Sequence, residues 1–206
     1  MSGSAAKPSA TCTAGYGNFV ATKGSGYAPQ FAEAVYANSY AFGTVNVEMK
    51  GYLCIEGGVG SPNHFACSTH FWPSSVGANW TLTQKGTALS TFRSAIDYLY
   101  AFRGKVVTGS DLYMSRADMA SQVSGIFTTW QESFICGAWT VNVGTLALGY
   151  TYQADHIMTR GTSCAGKSGY ILTIPSCPLV DISATNRPSE TCHGSDHRLM
   201  FSRGTV

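Results

Sequence analysis

The chain has little charge. Asp, Glu, Lys and Arg make up 12% of its 206 residues, about half of the roughly 25% usual for a soluble domain. Its formal net charge of +2 comes with no cluster of Lys and Arg, which argues against nucleic acid as the main partner. No apolar run approaches the roughly 20 residues that a membrane-spanning helix needs. The opening stretch MSGSAAKPSATCTAG has no apolar core, so it does not read as a signal peptide. The seven cysteines include no C-x-x-C pair and are odd in number. Without an export signal they are expected to be free thiols in a reducing cytosol.

Hydrophobic residues make up 44% of the chain, alongside 23 glycines, which gives enough apolar material for a core and many turns. Residues Met1 to Gly26 read as an arm or a loosely packed first strand. Gln30 to Phe42 has apolar spacing that predicts one short helix. From Thr44 the period changes to alternation, with Val45, Val47 and Met49 followed by Tyr52 and Cys54, a strand-and-turn pattern. Leu89, Phe92, Ile96, Leu99 and Tyr100 fit one helical face, and Leu112 to Trp130 has similar spacing. Both predict helices and count against an all-β chain. From Phe134 onward alternation returns in AWTVNVGTLALGYTY, then YILTI and PLVDIS, before a polar tail around Asn186 to His197.

Three residues are candidates for chemistry. His70 ends the apolar run FACSTH, a placement that suits a histidine whose ring is fixed by a carboxylate on one nitrogen. Asp111 follows the turn at Gly109-Ser110 and could hold that ring, with Asp97 in SAIDYLY as the alternative acid. Ser168 stands between glycines in Gly166-Lys167-Ser168-Gly169. The backbone N–H groups of Gly166 and Ser168 would form an oxyanion hole, where losing one donor costs about 3 kcal/mol of transition-state stabilisation. Cys164 is an alternative nucleophile, but it lacks a glycine two positions earlier. The order His70, Asp111, Ser168 is that of chymotrypsin-type proteases. A rival grouping, His64, Cys67 and His70 with Cys192, His193 and His197, has zinc-ligand residue types without a common zinc spacing.

FACSTHF, GSDLYM and TRGTSCAGKSGYIL resemble the three catalytic blocks of the chymotrypsin-like main proteases of positive-strand RNA viruses, among them sobemovirus and nidovirus enzymes. The resemblance runs in short blocks from Val45 to Phe201. The chain departs from it at Leu179 to Ala184, where many members carry a Gly-x-His strand. The resemblance implies a mostly β fold of two six-stranded antiparallel barrels with a few short helices. Residues 1–120 would form an arm and the first barrel, carrying His70 and Asp111, and residues 121–206 a second barrel carrying the nucleophile loop. It also implies a serine endopeptidase that cleaves a viral polyprotein in the host cytoplasm through an acyl-enzyme, with no cofactor and no metal. Homo-oligomerisation stays open. The competing expectation is a self-assembling coat or filament protein, with a zinc hydrolase behind it.

Overall fold

The architecture was read from a computed structural model, which describes residues 2–6, 18–22, 31–35, 40–42, 46–48, 51–57, 63–71, 80–132, 155–161, 168–172 and 199–203. In chain order the elements begin with strands β1 (Ser2–Ala6), β2 (Asn18–Thr22), β3 (Phe31–Val35), β4 (Tyr40–Phe42), β5 (Asn46–Glu48), β6 (Gly51–Gly57) and β7 (His64–His70). Helix α1 (Leu82–Arg103), strand β8 (Val106–Asp111), and helices α2 (Arg116–Gln122) and α3 (Ile126–Thr129) come next. Strands β9 (Trp130–Glu132), β10 (Asp155–Arg160), β11 (Ser168–Leu172) and β12 (Leu199–Arg203) complete the set.

The centre is an open mixed sheet in the order β3-β6-β7-β8-β10-β9. Its neighbours pair antiparallel except β7 and β8, which run parallel from Phe65↔Val106 to His70↔Asp111. Parallel neighbours cannot be joined by a hairpin and need a crossover of a dozen or more residues, usually a helix. Helix α1 is that crossover. Thr81 starts it with a capping box: its Oγ1 accepts from the Gln84 N–H at 3.2 Å, and its own N–H donates to Gln84 Oε1 at 2.8 Å. Gly104 ends it in the left-handed region at φ 72°, with its N–H bonded to the Tyr100 carbonyl, so the chain turns straight into β8.

The helix buries Leu89, Phe92, Ile96 and Leu99 against one face of the sheet, where Phe65, Cys67, Val106, Trp130 and Met158 meet them. Burying each large apolar side chain in this layer contributes roughly 1.5–3 kcal/mol. In β7 burial alternates strictly, with Phe65, Cys67 and Thr69 buried and His64, Ala66, Ser68 and His70 half-buried on the other face. Strand β6 is buried from Leu53 to Gly57, as expected where both faces of a strand are covered. On the far face Leu53 and Ile55 pack with Ala66, and β1 and β2 lie close to β6. The carboxylate of Glu56, buried in β6, accepts from the Arg103 Nε at the end of α1.

This architecture replaces the two six-stranded antiparallel barrels. The helical spacing of residues 81–103 is a genuine helix, and the parallel pair it connects has no place in antiparallel barrels. Residues 30–42, expected to be helical, instead supply β3 and β4. Phe31–Val35 pairs with β6 from Phe31↔Ile55 to Val35↔Gly51, and sheet pairing overrides the weak helix preference of Ala and Glu. Cys54 and Cys67 are joined by a disulfide rather than being free thiols, because the register places them directly opposite each other in β6 and β7. The strands expected at residues 138–152 and 178–183, and the tail at 186–197, lie outside the described residues.

Candidate functional site

One end of the sheet gathers polar chemistry. The register makes His70 the partner of Asp111 across β7 and β8, and Asp111 the partner of Asp155 across β8 and β10. Directly paired residues project to the same face of a sheet, so the three side chains form a row. That face is the one opposite α1. Thr69, Ser110 and His156 are buried on the core side, whereas His70, Asp111 and Asp155 are only partly covered.

The His70 Nε2 lies 3.1 Å from Asp111 Oδ2, with the histidine side chain 41% exposed and the aspartate 16%. Such a contact fixes the ring and its tautomer. With the Nε2–H donated to the carboxylate, the neutral ring carries its lone pair on Nδ1. The strand ladder continues past the pair, since the Phe71 N–H donates to the Asp111 carbonyl at 2.8 Å. This anchors the backbone on both sides of His70.

The turn after β8 is held unusually firmly. Tyr113 has φ 46°, a left-handed conformation that costs a non-glycine residue roughly 1–3 kcal/mol. Its ring packs beside the His70 ring, with centroids 5.9 Å apart. Lys85, in the first turn of α1 and 1% exposed, donates from Nζ to the Tyr113 carbonyl at 2.7 Å. Burial pushes the Lys85 ammonium down to about 8, against the opposing pull of Asp118 and Asp111. On the core side His156 Nε2 sits 2.8 Å from the Met114 carbonyl, which ties β10 to the same turn.

Of the expected residues, His70 and Asp111 are brought together. Asp97 is not their partner. It lies on α1 with its carboxylate 3.1 Å from Arg160 Nε and 3.6 Å from Arg93 Nε, since its helix position faces the β10 end rather than the β7 end. Ser168 opens β11, which pairs with β12 in a separate two-stranded sheet. Gly166 and Cys164 lie outside the described residues. The zinc grouping loses Cys67 to the disulfide and His70 to Asp111. His64 Nδ1 lies 2.6 Å from Asn63 Oδ1, and Cys192, His193 and His197 fall outside the described residues. Among the described residues no group of three or more His, Cys, Asp or Glu is close enough to hold a metal ion. Asp155 was missed by sequence reasoning. It opens β10, where the register sets it opposite Asp111, and nothing in the local sequence separates it from the other aspartates.

No family model and no curated protein matches the chain. Solved structures that resemble its fold include the following two. One is truncated TDP2 from Caenorhabditis elegans, with a TM-score of 0.50 and 14% identity over 70% of this chain and 60% of that one. The other is the catalytic domain of human nocturnin with bound sulfate, with a TM-score of 0.51 and 10% identity over 84% of this chain and 58% of that one. The chain thus spans about three-fifths of the length of each.

This fold overturns the protease reading. The resemblance to chymotrypsin-like viral proteases rested on short blocks, and the blocks containing His70 and Asp111 belong to a βαβ unit of an open sheet. Serine endopeptidase activity, the polyprotein substrate and the coat-protein alternative are therefore set aside. The exclusion of nucleic acid as a partner is withdrawn as well.

Proposed function

We propose that the chain is a hydrolase of phosphate esters or phosphodiesters, with His70, Asp111 and Asp155 in its active site. A shared fold alone does not carry a function, so the reading rests on the site. The observation that supports it most is the His70–Asp111 contact at 3.1 Å, at the carboxyl ends of adjacent parallel strands. Ligands of open α/β sheets bind at that end.

In this reading Asp111 accepts the Nε2–H of His70 and keeps Nδ1 turned toward the substrate. There Nδ1 takes a proton from an attacking water or, when protonated, donates to a phosphoryl oxygen. Asp155 supplies a second carboxylate beside the first, suited to orienting the water. The sulfate in the nocturnin structure is a tetrahedral oxyanion of the same shape as a phosphate group, which supports this substrate class.

The test is hydrolysis of 4-nitrophenyl phosphate, bis(4-nitrophenyl) phosphate and a single-stranded oligonucleotide, assayed with a divalent cation present. His70→Ala and Asp111→Asn are each expected to lower kcat/KM by about 100-fold or more. Turnover left intact in both variants, or none by the wild type on any of the three substrates, refutes the proposal.

A further inference from the structure

We infer that Lys85 is a positioning residue for His70, acting through the backbone and ring of Tyr113. This deepens the proposed phosphoesterase site and rests on that reading for its catalytic consequence, though not for its structural content. The Lys85 Nζ reaches through the core to the Tyr113 carbonyl at 2.7 Å and lies 5.9 Å from the centroid of the Tyr113 ring. Tyr113 in turn holds a left-handed backbone at φ 46° and sets its ring 5.9 Å from that of His70. The chain of contacts thus runs from a buried ammonium, through a strained turn, to the histidine ring, which the Tyr113 ring meets at a tilt of 50°.

Each link has a physical reason. A left-handed non-glycine residue persists only where its surroundings hold it there, and a charge-assisted hydrogen bond to its carbonyl is among the stronger ways to do so. A lysine is seldom fully buried unless something satisfies it, yet Lys85 is 1% exposed. A methionine of similar length would fill the same space without the cost of a buried charge. The charge therefore has a use other than packing. The anionic groups that act on it are Asp118 of α2 and Asp111 of β8. Asp118 is also engaged in capping α2, its Oδ2 accepting from the Ser115 N–H at 3.0 Å. Asp111 is the partner of His70, so the ammonium, the turn and the histidine–carboxylate pair form one connected unit.

The test reads His70 directly. The imidazole nitrogen resonances of His70 are followed through a pH titration by long-range proton–nitrogen NMR in the wild type, Lys85→Met and Lys85→Arg. In Lys85→Met the His70 resonances are expected to shift and its titration midpoint to move. Lys85→Arg, which keeps a donor toward the Tyr113 carbonyl, should restore part of the change. On bis(4-nitrophenyl) phosphate, Lys85→Met is expected to lose about tenfold or more in kcat with little change in KM. If the His70 titration in Lys85→Met overlays that of the wild type, the inference is overturned. Should Lys85→Met fail to fold, Tyr113→Gly removes the ring while leaving Lys85 in place. It must then produce the same kind of His70 shift, and an unchanged spectrum overturns the inference. A His70 spectrum that responds, in a protein that hydrolyses no phosphate ester, supports the positioning role and sinks the phosphoesterase reading alone.

Discussion

Replacing Arg103 with methionine takes away the partner of a buried carboxylate. The Glu56 side chain is 2% exposed, whereas that of Arg103 is 33% exposed. Removing one member of a buried ion pair costs about 3–5 kcal/mol, because the other charge is left without compensation. Arg103 already keeps a third of its side chain in water, so the gap left by the substitution lets water reach Glu56. The lower end, about 3 kcal/mol, is therefore expected. Methionine keeps the apolar stem and loses the guanidinium stacked 4.5 Å from the Phe102 ring centroid, an exposed cation–π contact worth about 0.5–1 kcal/mol. For a chain of this size the total, about 3.5–4 kcal/mol, corresponds to a fall in Tm of roughly 7–16 °C. The assay is urea unfolding of the wild type, Arg103→Met, Glu56→Leu and the double variant, read as a double-mutant cycle. The double variant buries no orphaned charge and should recover most of the loss. A cost below about 1 kcal/mol for Arg103→Met, or a double variant no more stable than the single, would refute the reasoning.

Stability should also depend on pH through Lys85. Its folded pKa of about 8 lies below the ordinary 10.5, so the folded state releases its proton first. The burial cost is fully present below pH 8 and is relieved between about 8 and 10.5, a gain of at most about 3 kcal/mol. Tyr52, whose phenol is raised by burial, works in the opposite direction above pH 10, so the stability maximum should fall near that value. Denaturant midpoints measured from pH 7 to 10.5 check this, and the rise should vanish in Lys85→Met. Gly161→Ala should be strongly destabilising, by more than about 3 kcal/mol. Gly161 has φ 84°, and an added Cβ would collide with the Gly104 carbonyl and the Tyr100 ring. Thermal unfolding that matches the wild type would contradict that geometry.

The parts of the molecule that could be read from the chain are the local ones. Leu89, Phe92, Ile96 and Leu99 announce α1 because a helix face repeats within a few residues. His70 stands out at the end of an apolar run, whereas Asp111 is expected after a turn at Gly109-Ser110; those two residues instead belong to β8, and Asp111 closes that strand beside His70. The protease reading failed because the Gly166-Lys167-Ser168-Gly169 motif, the order His70, Asp111, Ser168 and the short resembling blocks were all read along the chain. Chain order does not say which strands are neighbours. Phe31–Val35 was misread for a related reason, since five residues containing two alanines and a glutamate become a strand only once β6 lies alongside.

Residue types and short-range periodicity were enough to predict a helix over residues 81–103 and an apolar strand ending at His70, and to single out His70 and Asp111. Strand order, the parallel pairing of β7 with β8, and the arrival of Asp155 beside Asp111 were decided by tertiary structure. The reason is that alternation records only that one face of a strand is buried. Which strand covers which, and in what direction, depends on contacts between distant segments around a shared core, and those contacts leave no period in the sequence.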